Sequence, residues 1–142
     1  MSGVAMHASA VLIGEAGVLI LGASGMGKST LARRLIGAAR DAGLYAGLIG
    51  DDRILIEQRG AALIGRPHPA IAGKIEVRGE GIVDIAHEPA AILRLAVDIA
   101  ETVERMPADA HIEVAGVRLR RIFVTRNAND AAETVIAALL RL

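Results

Sequence analysis

The chain has 142 residues, 53% of them hydrophobic, which is enough for one compact domain with a core and too few for two of ordinary size. Its 16 Lys and Arg balance 16 Asp and Glu, so no global field draws it to nucleic acid or to a membrane surface, and any recognition is local. The absence of Cys excludes disulfides, thiolate metal sites and a cysteine nucleophile, and with one Tyr, one Phe and no Trp the core is aliphatic and aromatic base-stacking surfaces are nearly excluded.

Met1 to Ala10 lacks the basic head and long apolar stretch of a signal peptide, and no apolar run reaches membrane-spanning length, so a soluble, cytoplasmic protein is expected. Val4 to Ile13 is mostly apolar and β-compatible, Gly14 to Gly17 reads as a turn, and Gly17 to Leu21 as a second strand, which together predict an opening hairpin. His7 lies in the first of these strands, and pattern alone does not single it out.

The next stretch reads Gly22, Ala23, Ser24, Gly25, Met26, Gly27, Lys28, Ser29, Thr30: a glycine, four free positions, then Gly, Lys and Ser. This is the phosphate-cradling P-loop. The backbone must wrap closely around a polyphosphate, aiming N–H groups and the positive end of a helix at it, which is why glycines recur. Lys28 can then reach the terminal phosphates and the Ser29 hydroxyl can hold Mg²⁺. The flanks fit, because Leu31, Leu35, Ile36 and Ala39 fall at helical spacing up to about Ala42, with Gly43 as the stop.

Leu44 to Ile49 is an apolar strand ending in Gly50, Asp51, Asp52, Arg53. Paired acids at the tip of a buried strand, about twenty residues beyond a P-loop, are where phosphoryl-transfer proteins place a metal ligand or a base. An Asp-rich turn is the plain alternative. Ile54 to Glu57 and Ala61 to Ile64 read as strands joined by a short turn, and Gly65 to Gly73, with Pro67, His68 and Pro69, as an exposed loop. Lys74 to Ile85 alternates charged and apolar residues until Gly79 and Gly81 interrupt it, which predicts strand, tight bend and strand. Ala91 to Ile99 is a further apolar strand, and Glu101 to Met106 is polar enough for a surface turn. Ile112 to Val114 and Val117 to Val124 pair across Ala115 and Gly116, and Asp130 to Leu142 is an amphipathic helix.

Three features in order give the sequence a resemblance to the HPr kinase/phosphorylase family: His7 ahead of the P-loop, the Asp51 and Asp52 turn, and the stretch Glu76, Val77, Arg78, Gly79, Glu80, Gly81, Ile82, which looks like the family's signature. The likeness spans about His7 to Pro107, resembles the short proteobacterial forms over Val97 to Pro107, and is weaker beyond. The resemblance implies an α/β architecture of the phosphoenolpyruvate-carboxykinase-like P-loop type, a mixed, curved β-sheet with helices packed against it, forming one catalytic domain over residues 1–142. It implies an ATP- and Mg²⁺-dependent serine protein kinase acting on an HPr-type phosphocarrier of the phosphotransferase system, with no nucleic acid or membrane partner, and a homo-oligomer, the family assembling as hexamers.

Residue by residue, the resemblance puts ATP on Gly22 to Thr30 with Lys28 on its terminal phosphates, and Mg²⁺ on Ser29 with help from Asp52 and Glu76. It makes Asp51 the base that takes the proton from the acceptor serine and brings His7 to the transferred phosphate or, in reverse, to inorganic phosphate. Arg78 is offered for a carboxylate or phosphate of the site, and Arg126 as counterpart of a C-terminal family arginine. Glu80 departs from the family, standing where an apolar residue is more usual, and the chain starts almost at the catalytic domain, which bears on allosteric control and phosphorylase activity. Two other readings stay open: a P-loop kinase with another acceptor, and a catalytically silent ATP-binding sensor.

Overall fold

The computed structural model describes residues 3–103 and 110–142. The opening strands are β1 (Val4–Met6), β2 (Ser9–Ile13) and β3 (Ala16–Leu21), which lead into helix α1 (Lys28–Asp41). Strands β4 (Ala46–Gly50), β5 (Ile54–Arg59) and β6 (Ala62–Pro67) follow, then a 3-10 turn at Pro69–Ile71 and the hairpin β7 (Lys74–Val77) and β8 (Gly81–Asp84). Strands β9 (Ala91–Ala100), β10 (His111–Val114) and β11 (Val117–Thr125) and helix α2 (Ala131–Leu140) complete the described elements.

One sheet runs β1-β5-β6-β9-β3-β2-β4, with β11 joined to β9 and β10 to β11, while β7 and β8 pair apart from it. The contacts β3/β9 and β9/β11 are parallel and the others antiparallel. The result is the expected α/β arrangement: a mixed, curled sheet with two helices. Strand β9 organises it, because its front half meets β6 at Ala91 and Ile92 and its rear half meets β11 from Leu95 on, with β3 along the other edge. Leu95, Ala96 and Val97 are consequently buried on both faces, as expected of a parallel strand with no solvated side.

Two apolar cores flank the sheet. On one face Leu31, Leu35 and Ile36 of α1 and Val135 and Leu139 of α2 pack on Val18, Ile20, Leu95 and Val97. The other face is filled by Leu19, Leu21, Ile49, Ile54, Leu63 and Leu93. A fully buried leucine such as Leu35 or Leu95 contributes about 1.5–3 kcal/mol by leaving water. Helix α1 ends where expected, as the Gly43 and Leu44 amides fold back onto the Arg40 and Ala39 carbonyls with Gly43 at φ 81°.

Several boundaries differ from the sequence expectation. The opening strand is two strands: β1 pairs with β5, whereas β2 pairs with β3 and β4, and the break falls at His7 and Ala8. The predicted loop from Gly65 starts too early, since β6 runs on to Pro67. Gly65 belongs in that strand because a Cβ there would lie 3.1 Å from Leu93 Cδ2. Strand β4 begins at Ala46 rather than Leu44, which is used to close α1. Of the expected surface turn, Glu104 to Met106 lies outside the described residues, as does Pro107.

Candidate active site

The loop between β3 and α1 has the backbone its glycines allow, with Gly25 at φ 82° and Gly27, the residue capping α1, at φ 95°. No side chain caps α1 and its first turn carries no acid, so its free N–H groups and the positive end of its dipole face the loop as an anion site. Lys28 is 7% exposed. Its Nζ donates to the carbonyls of Gly22 at 2.8 Å and Ala23 at 3.3 Å, which holds the ammonium across the mouth of the loop.

At the end of β4 the two acids part company. Asp51 is 5% exposed and three donors converge on it: Ser9 Oγ at 2.7 Å, Ser29 Oγ at 2.7 and 2.8 Å from its two oxygens, and the Glu76 amide at 3.2 Å. A buried carboxylate is tolerated only with partners of this kind. Asp52 has φ 66°, a left-handed conformation that Asp accepts more readily than most residues. Its side chain projects outward and its Oδ1 lies 2.6 Å from His7 Nε2, the two side chains being 60% and 48% exposed. The break between β1 and β2 falls at this pairing, where the Ala8 amide also donates to the Asp52 carbonyl at 3.1 Å.

A cleft of about 250 Å³ is lined by Ser9, Lys28, Ser29, Asp52, Glu76 and Arg78 among others. A second cavity of about 330 Å³ is lined by Met26, Arg33, Ile99 and Arg126 among others and shares Gly25, Gly27, Thr30 and Arg78 with the first. Arg78 makes no hydrogen bond or ion pair among the described residues and stands between the two spaces. Arg126 lies in the second cavity only, paired with Glu101 Oε1 at 3.3 Å, and so is not brought to the acids. His68 caps the 3-10 turn, its Nδ1 accepting the Ala70 amide, and is not among the residues lining the cleft.

Ser9 is the member of the cluster that sequence reasoning passes over. It is fully buried and bonded to both acids. The signal is a lone hydroxyl in an apolar strand, two residues after His7. Among the described residues no group of three or more His, Cys, Asp or Glu is set to hold a metal. The Ser29 hydroxyl and the carboxylates of Asp52 and Glu76 on the cleft are the hard oxygen donors Mg²⁺ takes, one or two protein groups sharing the ion with substrate phosphates and water.

Residues 2–136 match the family described as HPr Serine kinase C-terminal domain. The chain is 46% identical over 79 residues to HPr kinase/phosphorylase of Mycoplasma mycoides, covering 56% of this chain and 23% of that protein. It is 30% identical over 151 residues to that of Cupriavidus metallidurans, covering 97% of this chain and 45% of that protein. The chain thus spans less than half the length of these curated relatives. The solved HPr(Ser) kinase/phosphatase from Coxiella burnetii superposes with a TM-score of 0.74 at 27% identity, over 96% of this chain and 93% of that one. The fold is accordingly the phosphoenolpyruvate-carboxykinase-like P-loop type. Among the described residues no helix is long and apolar enough to cross a membrane.

Proposed function

The chain belongs to the HPr serine kinase C-terminal domain family, and from that premise we propose that residues 1–142 form a single catalytic domain that transfers the γ-phosphoryl group of ATP to a serine of an HPr-type phosphocarrier. The observation that carries the reading is the convergence on one cleft of the P-loop ammonium, the Ser29 hydroxyl and an exposed carboxylate paired with an imidazole. Phosphoryl transfer asks for little more than an aligned nucleophile and neutralised charge.

The roles follow the resemblance with one exchange. ATP phosphates sit on the loop N–H groups and the start of α1, with Lys28 turning from the Gly22 and Ala23 carbonyls to their terminal oxygens. The base is Asp52 rather than Asp51. What supports this is solvent access: Asp52 reaches the cleft, whereas Asp51 is buried with Ser9, Ser29 and Glu76 already donating to it. Asp52 takes the proton as the acceptor Oγ bonds to phosphorus and ADP departs. His7 supports that carboxylate and, in the reverse reaction, meets inorganic phosphate.

Ser29 and Glu76 would hold Mg²⁺, with Asp51 orienting the Ser29 hydroxyl. The ion would supply charge neutralisation on the polyphosphate oxygens. Arg78, between the two spaces, supports the transferring phosphoryl group through its charge. Cytoplasmic location and assembly as a homo-oligomer, hexameric on the resemblance, belong to the same proposal, and light scattering reads the assembly.

The test is incubation of the purified protein with γ-labelled ATP, Mg²⁺ and an HPr-type phosphocarrier. Acid-stable, serine-linked label on the carrier supports the reading. ATP bound without transfer refutes it and leaves the sensor or another acceptor.

A further inference from the structure

Ser9 opens β2 and is fully buried, yet its hydroxyl is used twice: it donates to Asp51 Oδ1 at 2.7 Å and accepts the Asp52 amide at 3.2 Å. The β2/β4 register shifts between Ala10 and Val11, a bulge of the kind that re-aims side chains beside active sites. Ser9 keeps its place opposite Ile20 in the β2/β3 ladder, while on the β4 side its hydroxyl meets the acid turn. Ala8 N–H and Ser9 Oγ together grip the Asp52 backbone from both sides, its carbonyl and its amide. Asp52 is held at φ 66° by these two bonds, and that conformation sends its carboxylate to His7.

We propose that Ser9 is a positioning residue for the transfer reaction: its single hydroxyl couples the buried carboxylate that holds Ser29 to the backbone of the exposed carboxylate that acts as base. This rests on the reading of Asp52 as base given above. The hydroxyl is fully buried and both of its bonds go to the acid turn, so its loss loosens the aim of Asp52, while Ser29 keeps its own two bonds to Asp51 and Lys28 its place on the loop. Positioning of reacting groups is worth orders of magnitude in rate, and small displacements are costly.

The experiment compares Ser9→Ala, Ser9→Val and Ser9→Thr in the full chain. Val and Thr share shape and add the same methyl to a buried position, so the difference between them isolates the hydroxyl. We expect kcat to fall about ten- to a hundredfold in Ser9→Ala and Ser9→Val, the loss expected for one hydrogen bond to a charged group. KM for ATP should stay within about twofold, the pattern of an interaction outside ground-state binding. Ser9→Thr should stay within about threefold of the parent in kcat, since its hydroxyl restores that bond. In parallel, imidazole resonances of His7 should move in the Ala and Val variants and return in Thr. Unchanged kcat in Ser9→Ala, equal losses in Thr and Val, or unmoved His7 resonances would each overturn the proposal. A parent that binds ATP and transfers nothing refutes the kinase reading instead, while the His7 resonances still decide whether Ser9 sets the Asp52 pair.

Discussion

Asp51 and Asp52 are adjacent and chemically identical, so their replacement by Asn separates structure from chemistry. Asp51→Asn puts an amide where Ser9 Oγ, Ser29 Oγ and the Glu76 amide now donate to a carboxylate. The two hydroxyls can rotate and accept, but the Glu76 N–H cannot. The Asn oxygen can still face the Glu76 N–H with its NH2 toward the hydroxyls, so what is lost is the charge-assisted strength of three bonds, about 1 kcal/mol each and near 3 kcal/mol in all. For a chain of 142 residues that lowers the melting temperature by roughly 10 °C. Asp52→Asn keeps a residue that tolerates the left-handed conformation, and its partner is an exposed imidazole, so stability should change by less than about 1 kcal/mol. Transfer should nevertheless fall about 10²- to 10⁴-fold, the range for a general base. Thermal melts with and without Mg²⁺ and ATP, beside initial rates of phosphoserine formation, read both quantities. The opposite ranking would refute the reasoning: Asp52→Asn transferring normally, with Asp51→Asn stable, nucleotide-bound and inactive, would return the base to Asp51.

Lys28→Met keeps most of the buried stem but removes the ammonium, so both the thermal shift produced by Mg²⁺ and ATP and the transfer activity should disappear while the unliganded protein still folds. Gly17→Ala would put a Cβ 2.9 Å from the Ile92 carbonyl oxygen and from Leu93 Cδ2, and urea titration should show a loss of about 2 kcal/mol from overpacking β3 against β9. Asp84 is held below its ordinary value of 3.8 by the hydrogen bond and charge of Lys74. The pair's contribution is thus complete above that value and lost as pH falls through the lower folded-state one. NMR titration should show the Asp84 carboxyl moving up in Lys74→Met, with little change in melting temperature at neutral pH because both groups are exposed.

The P-loop was legible because its chemistry demands residue types at fixed spacing between a strand and a helix, and Gly22 to Ser29 meets that demand without tertiary information. The helices were legible from the spacing of Leu31, Leu35 and Ile36 and of Val135 and Leu139. The division of labour between Asp51 and Asp52 was not, since the sequence names two acids at a strand end and the buried one is decided by which neighbours arrive: Ser9 from β2, Ser29 from α1 and the Glu76 amide from β7. The break at His7 and Ala8 was hidden for a related reason. Apolar residues continue through Val4 to Ile13, and a change of pairing partner leaves no mark on local composition. Gly65 and Pro67 weakened the signal of β6, although a glycine there spares Leu93 a contact of 3.1 Å.

The central claim is tested most directly by intact-mass and site-mapping measurement of an HPr-type phosphocarrier after incubation with the protein, Mg²⁺ and ATP, using the parent and Asp52→Asn. A single phosphoserine should form on the carrier with the parent, and form about 10²- to 10⁴-fold more slowly with Asp52→Asn. An unmodified carrier beside a parent protein that demonstrably binds ATP, or equal phosphoserine from both proteins, would contradict it.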